Sequence, residues 1–173
     1  PLHNKSMANM DITELKGMGN LWRDRAHELG KLKNIHHVQI FENRGNEAGN
    51  SNLHPHCQIW AQQSIPHEAQ GEIDRQEKYF SVTGHPLLSE YLRQELGRRL
   101  RILFQNKTFT LLVPFWAEWP YEMMILPNTH IQQLDQLSEK QNGDLAEILS
   151  LATRAYAALF KRPKHGAPYT MGV

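Results

Sequence analysis

The chain has 173 residues, a formal net charge of +1 with histidine neutral, and hydrophobic residues at 40% of its positions. This length is enough for a domain with a sizeable core, and the near-neutral charge gives no electrostatic case for binding nucleic acid or an acidic membrane. The single cysteine, Cys57, excludes an intrachain disulfide and a cysteine-rich zinc site. Since no apolar run approaches the roughly 20 residues that span a bilayer, we expect a cytoplasmic protein that binds neither membranes nor nucleic acid.

The first predicted elements are a helix and two strands. Asp11 is followed three residues later by a glutamate, which is a capping box, and apolar residues then recur at helical spacing as far as Gly30. Alternating apolar residues predict a strand at 35–41. The polar, glycine-rich segment 42–52 predicts a loop, and 56–61 the returning strand.

The second half of the sequence predicts further helices and strands. These are helices at 67–80 and 86–96, strands at 100–115 with a turn at Asn106-Lys107, a strand at 121–127, a helix from Ser138 to Phe160, and a last strand at 167–173.

The order of these elements occurs twice. Both 1–3 and 127–130 are short proline-histidine segments followed by a capped helix and a strand. We therefore predict an α+β fold of two similar units, 1–66 and 100–173, joined by a helical connector at 67–99. The first unit lacks strands at its front and the second at its back, so both ends are expected to be cuts through a domain.

The segment His54-Pro55-His56 is the strongest candidate for chemistry. Residues two apart share one face of a strand, and Pro55 cannot donate a ladder hydrogen bond, so this strand is irregular or at an edge. Both histidines could bind a metal, or one could attack phosphorus as a nucleophile, or both could be solvated side chains. Spacing alone leaves these alternatives open.

The residues around the histidines favour phosphate chemistry. Gly49, Asn50 and Ser51 precede them and offer backbone N–H groups and short polar side chains to an anion. Gln58 follows and can donate an amide N–H to a phosphate oxygen.

The segment 41–61, FENRGNEAGNSNLHPHCQIWA, resembles the active-site segment of the galactose-1-phosphate uridylyltransferase family. The pattern of that family is F-E-N-x-G, a short loop, and S-N-x-H-P-H-[GC]-Q-x-W-A. The likeness continues at 111–131 and at 168–172, PYTMG, so it extends over the whole chain. The resemblance implies that the two predicted units are histidine-triad-like, with helices on an antiparallel sheet.

The resemblance assigns the nucleophile to His56. In the family this histidine attacks the α-phosphorus of UDP-glucose, forms a uridylyl-histidine and releases glucose 1-phosphate; galactose 1-phosphate then takes the uridylyl group. A backbone carbonyl of the histidine segment is expected to orient the imidazole. Cys57 is a permitted family variant, predicted to be a small buried strand residue.

Five further residues match positions that contact the substrate in the family. Ser51 and Gln58 match phosphate-contacting residues, while Asn43, Gly49 and Asn50 match residues that line the nucleotide-sugar site. The family often has cysteine where this chain has Asn50.

The resemblance also implies two metal sites. His54 and His3 match structural zinc ligands, but the other two ligands come from a C-x-x-C pair that this sequence lacks. Two histidines leave zinc two ligands short of its usual four. Glu72 matches a ligand of a second metal, iron or zinc, whose histidine partners lie beyond the end of this chain. Both implied sites are therefore partial.

The expected partners are UDP-glucose, galactose 1-phosphate and a second copy of the chain, since the family is homodimeric. Because parts of the family's site are missing, we expect little or no turnover. Two alternatives remain. One is another histidine-triad nucleotide-binding protein, such as a diadenosine-polyphosphate phosphorylase or nucleotide hydrolase, although Gln58 in place of a third triad histidine argues against a hydrolase. The other is a non-catalytic truncated homologue that pairs with full-length subunits.

Overall fold

The structure is a computed structural model, and it describes residues 5–50, 52, 54–162 and 167–173. Four helices and six strands are described. The helices are α1 (Ile12–Gly30), α2 (His67–Thr83), α3 (Leu87–Arg98) and α4 (Glu139–Leu159). The strands are β1 (His37–Arg44), β2 (Gln58–Gln62), β3 (Ile102–Gln105), β4 (Phe109–Leu112), β5 (Met124–Pro127) and β6 (Tyr169–Gly172).

The strands form two antiparallel three-stranded sheets, with the orders β2-β1-β6 and β3-β4-β5. This arrangement confirms the predicted α+β class. The last strand, β6, pairs with β1, so one sheet joins residues from the ranges 1–66 and 100–173 that the sequence predicted as separate units. Those ranges stay a prediction.

The two long helices begin at the predicted capping boxes. The Asp11 carboxylate accepts a hydrogen bond from the Glu14 backbone N–H at 2.9 Å, and the Glu14 carboxylate accepts one from the Asp11 N–H at 2.9 Å. Ser138 and Gln141 make the same reciprocal contacts at the start of α4. Each box satisfies backbone donors that a helix leaves unpaired in its first turn.

Helices α1 and α4 pack against each other and enclose the main core with the sheets. Trp22 of α1 and Ile148 of α4 are fully buried within it. Asn142 of α4 is also buried, and its amide donates to the Lys16 carbonyl oxygen at 2.9 Å. A side chain at Gly19 would collide with Asn142. This glycine, which weakens the helix locally, is therefore what allows the helices to approach.

Strand β1 extends beyond its predicted end. The sequence placed residues 42–44 in a loop, whereas the structure extends the strand to Arg44. Pairing with β6 supplies the reason: Asn43 lies opposite Thr170, and Arg44 opposite Tyr169. A strand partner more than 120 residues away cannot be recognised from the residues next to β1 in the sequence. No helix in the described ranges is long and apolar enough to cross a membrane.

Candidate active site on the sheet β2-β1-β6

The sheet β2-β1-β6 has one face toward the core and one face that is open. On the open face Phe41 pairs with Gln58, and the Phe41 and Trp60 rings meet edge to face with their centroids 5.2 Å apart. On the core face Ile40 and Glu42 are 2% and 5% exposed. Because side chains alternate along a strand, the two faces carry different chemistry within a few residues.

His56 lies just before β2 and is exposed. Its Nδ1 is 2.8 Å from the backbone carbonyl oxygen of His54. A ring nitrogen that faces a carbonyl oxygen carries the proton, since the oxygen can only accept. The other nitrogen, Nε2, then holds the lone pair and is free to act as a nucleophile. This is the orientation by a backbone carbonyl that the resemblance implied.

A series of short contacts connects the preceding loop to this histidine. The Asn50 side-chain oxygen accepts from the Asn52 N–H at 2.9 Å, and the Asn52 side-chain oxygen accepts from the His54 N–H at 3.0 Å. Each contact spans two residues and so fixes a tight turn. Asn50 is only 8% exposed, and its own N–H donates to the Gly45 carbonyl oxygen at 3.1 Å. Asparagine at this position shapes the loop.

Gly45 begins this loop in a conformation that needs glycine. Its φ is +88°, and a Cβ there would lie 2.8 Å from the Cβ of Pro168. Pro168 belongs to the PYTMG segment, so the end of the chain packs directly against the loop. The loop shape therefore depends both on glycine and on Pro168, the residue before β6.

The structure brings several predicted site residues to one end of the sheet. The β1–β2 ladder ends at Phe41–Gln58, with Asn43 two residues further along β1 and His56 two residues before Gln58. Asn43 and Gln58 are half-buried, while Gly49 is exposed at the end of the loop. Ser51 lies outside the described residues. Its role in phosphate binding stays a prediction.

The predicted metal ligands are not brought together among the described residues. His54 is half-buried two residues before His56, whereas Glu72 is exposed on α2. His3 lies outside the described residues. Within the described ranges no group of three His, Cys, Asp or Glu side chains is placed to hold a metal ion. The zinc and iron assignments stay predictions, and any such site needs ligands beyond those described.

Sequence reasoning missed two residues behind the histidine segment. Trp22 is fully buried, and its indole N–H donates to the sulfur of Cys57 at 3.2 Å. Glu42 is the other: burial raises the pKa of its carboxyl group, while the nearby Tyr169 hydroxyl and the positive charge of Arg44 act in the opposite direction. The burial of Glu42 could have been suspected only if the strand had been predicted to continue past residue 41.

Comparison with models of protein families shows which family this chain belongs to. Residues 1–66 match the model of the galactose-1-phosphate uridyl transferase N-terminal domain, and residues 72–173 match that of the C-terminal domain. The chain belongs to the galactose-1-phosphate uridyl transferase family. This membership confirms the resemblance drawn from the histidine motif.

Curated relatives support the same relationship. The galactose-1-phosphate uridylyltransferase of Haemophilus influenzae is 38% identical over 172 residues, which are 99% of this chain and 48% of the relative. The enzyme of the same name from Kluyveromyces lactis is 39% identical over 178 residues, covering 100% of this chain and 47% of the relative. The chain thus spans about half the length of these relatives.

Solved structures share the fold. A uridylyltransferase structure matches with a TM-score of 0.85 and 27% identity, covering 96% of this chain and 51% of that one. An ADP-glucose phosphorylase from Arabidopsis thaliana with bound ADP-glucose matches with a TM-score of 0.86 and 24% identity, covering 98% and 52%. The second likeness concerns the fold alone.

Proposed function

We propose that this chain carries the nucleophilic half of a UDP-glucose–hexose-1-phosphate uridylyltransferase of galactose metabolism, with His56 Nε2 as the attacking atom. The supporting observation is the 2.8 Å contact between His56 Nδ1 and the His54 carbonyl oxygen. That contact fixes the proton on Nδ1 and leaves Nε2 with its lone pair on an exposed side chain. Family membership supplies the substrate class.

The proposed reaction has two displacement steps at phosphorus. The His56 Nε2 lone pair attacks the α-phosphorus of UDP-glucose, and the bond to the oxygen of glucose 1-phosphate breaks. Glucose 1-phosphate leaves with the bonding electrons, and His56 holds the uridylyl group on a positively charged ring. A phosphate oxygen of galactose 1-phosphate then attacks the same phosphorus and frees the imidazole. No proton has to move from Nδ1 in either step.

The remaining site residues are proposed to bind and orient the substrate. Gln58 and Ser51 donate hydrogen bonds to the phosphates, and Asn43 and Gly49 line the nucleotide-sugar site. Asn50 contributes through the shape of the loop, since its side chain is buried and accepts from the Asn52 N–H. Preformed donors of this kind stabilise charge that develops on phosphate oxygens.

The metal and subunit assignments are proposals as well. We propose that His54 and His3 are two ligands of a zinc ion and that Glu72 is one ligand of a second metal, iron or zinc. Zinc, when bound, supplies a structural cross-link, and the uridylyl transfer proceeds without it taking part. We also propose a cytoplasmic homodimer. Metal analysis of the purified chain by mass spectrometry, with His54→Ala as the matched variant, tests the zinc assignment.

A labelling experiment tests the proposed function. The chain is incubated with UDP-glucose radiolabelled in the uridine, denatured and counted; His85→Ala, which removes another exposed histidine, serves as the control. We expect covalent label in the wild-type chain and in the control, no label in His56→Ala, and little steady transfer to galactose 1-phosphate. Label that survives in His56→Ala contradicts the proposal, and equal labelling from ADP-glucose assigns the site to a different nucleotide sugar.

A further inference from the structure

A cavity of about 630 Å³ lies at the opposite end of the β1–β2 ladder from His56. Residues 35–38, which lead into β1, form one of its walls. The end of α1 forms a second wall, and residues 132–135, which precede α4, form a third. His37 at the start of β1 pairs with Gln62 at the end of β2, whereas His56 precedes β2. The cavity is therefore separate from the candidate active site.

A histidine–aspartate pair lies in the wall of this cavity. His27 Nδ1 is 2.8 Å from Asp135 Oδ2, and the contact joins the end of α1 to the short turn before α4. An ionised carboxylate can only accept, so Nδ1 carries the proton and Nε2 is left for a ligand. The other oxygen, Asp135 Oδ1, is enclosed by protein and has no hydrogen-bond partner among the described residues. One oxygen of the carboxylate is thus occupied, and the other cannot be reached from the cavity.

Lys31, His36 and His37 also line the cavity, and none of these side chains makes a hydrogen bond or ion pair within the described parts of the chain. Lys31 and His36 are exposed, and His37 is half-buried. A lysine ammonium carries a positive charge and donates three hydrogen bonds, and an imidazole donates one or, when it is protonated and charged, two. The protein therefore leaves the charge of Lys31 and several donors available to a ligand.

The rest of the cavity wall is largely apolar. It is formed by Ala26, Ile35, Val38, Ile40 and Leu134. An inorganic anion would leave this apolar surface in contact with water, whereas an organic anion would cover it, and covering apolar surface favours binding. The volume of the cavity falls in the range of roughly 300 to 1,000 Å³ that is usual for small-molecule sites. The cavity therefore fits a small molecule with an anionic end and an apolar body.

We propose that this cavity is a second ligand site, which binds a small organic phosphate through Lys31, His36 and His37. His27, held in place by Asp135, contributes its Nε2 to the same site. A phosphomonoester has three terminal oxygens and up to two negative charges, so it matches one ammonium and several imidazole donors better than a carboxylate does. The apolar body of the ligand packs against the apolar wall. The inference is independent of the proposed function, because no residue of the candidate active site takes part.

A titration of the whole chain with phenyl phosphate tests the proposal. The chain is labelled with nitrogen-15, and its imidazole and backbone signals are followed by NMR at constant ionic strength, at a pH of about 6.5 where an ordinary imidazole is half protonated. We expect the signals of His36 and His37 to shift with a dissociation constant in the millimolar range or below, and those of exposed His85 to stay in place. Unshifted signals around the cavity, or shifts confined to residues 43–58 at the candidate active site, overturn the proposal.

Two related compounds test the chemical class of the ligand. Benzoate keeps the ring but carries a carboxylate, and inorganic phosphate keeps the anion but has no apolar body. We expect each to bind at the cavity about tenfold more weakly than phenyl phosphate, since benzoate makes fewer charge-assisted hydrogen bonds and inorganic phosphate covers no apolar surface. Benzoate or inorganic phosphate that binds as tightly as phenyl phosphate overturns the assignment to an organic phosphate.

A pair of lysine variants tests the role of the cavity itself. Lys31→Met removes the ammonium and keeps a side chain of similar length, and Lys33→Met makes the same change at an exposed position that does not line the cavity. Both positions are exposed, so neither change should affect folding. We expect the dissociation constant of phenyl phosphate to rise about tenfold in Lys31→Met, through loss of a charge-assisted hydrogen bond, and to change less than about twofold in Lys33→Met. Equal weakening in the two variants would indicate a general attraction between charges and overturn the proposal.

Discussion

The two sheets of this molecule each have three antiparallel strands, but their surroundings differ. In β3-β4-β5 all four residues of the central strand are buried, with α4 packed against it. In β2-β1-β6 the central strand β1 buries only Ile40 and Glu42, and Trp60 of the edge strand β2 is 54% exposed. The sheet β3-β4-β5 is therefore part of the packed core, whereas the sheet β2-β1-β6 keeps one face open, with His56 just before its edge strand β2.

Removing the proposed nucleophile, His56, should have the largest effect on chemistry and almost none on folding. His56 is exposed, and the hydrogen bond described for its ring is to a backbone oxygen. We expect His56→Ala to abolish labelling by UDP-glucose and to leave the free energy of unfolding within about 1 kcal/mol of wild type. Urea unfolding of both chains provides the measurement, and a large loss of stability would show that the open face is also structural.

In the sheet β3-β4-β5, by contrast, replacing a buried side chain should lower stability. Leu112 of β4 is fully buried, so Leu112→Ala should lower the free energy of unfolding by about 3 kcal/mol through lost burial and a cavity. Leu103 of the neighbouring β3 is 53% exposed and supplies the control, with an expected change within about 0.5 kcal/mol. Equal losses for the two leucines in urea unfolding would contradict the contrast between buried and open positions.

The ion pair between Glu95 of α3 and Arg101, just before β3, should make the free energy of unfolding depend on pH. Burial raises the pKa of Glu95, but hydrogen bonds from Arg101 and Tyr91 outweigh it, so the net pKa lies below the ordinary value of 4.5. An acid whose pKa is lower in the folded state stabilises it above the unfolded pKa and loses this effect as pH falls through the folded pKa. At neutral pH Glu95→Gln should cost about 2 to 3 kcal/mol.

The pH dependence of that cost gives the sharper measurement. The difference in unfolding free energy between wild type and Glu95→Gln should shrink as pH falls below about 4.5. Glu77→Gln is the control, since Glu77 is an exposed acid of α2. A difference that stays constant between pH 7 and pH 3 would contradict the role of the Glu95 charge.

The smallest effect is expected in the loop before the nucleophile. Asn50→Ala removes the acceptor of the 2.9 Å hydrogen bond from the Asn52 N–H. We expect a loss of about 1 kcal/mol in the free energy of unfolding and slower labelling of His56, because the turn that positions it is loosened. Asn46→Ala, at an exposed position in the same loop, should change neither quantity. Labelling at the wild-type rate in Asn50→Ala would show that the loop is fixed by other contacts.

The helices were predicted well, because capping boxes and apolar spacing join residues only a few positions apart in the sequence. The capping boxes at Asp11 and Ser138 lie within three residues of their partners. His56 was predicted to be the nucleophile from a motif, and the orientation of its ring by a backbone carbonyl was implied by the family. The partners of Cys57 and Glu42 could not be predicted, because Trp22 is 35 residues before Cys57 and Tyr169 more than 120 residues after Glu42. The spacing of residues in the sequence does not indicate contacts between such distant positions.

The most direct test of the central claim locates the nucleotidyl group on the chain. The chain is incubated with UDP-glucose, digested at alkaline pH to preserve phosphorus–nitrogen bonds, and its peptides are sequenced by mass spectrometry. The account predicts one uridylyl group, on His56, on the open face of the sheet β2-β1-β6. A uridylyl group on His54 or on any residue outside that face would contradict it.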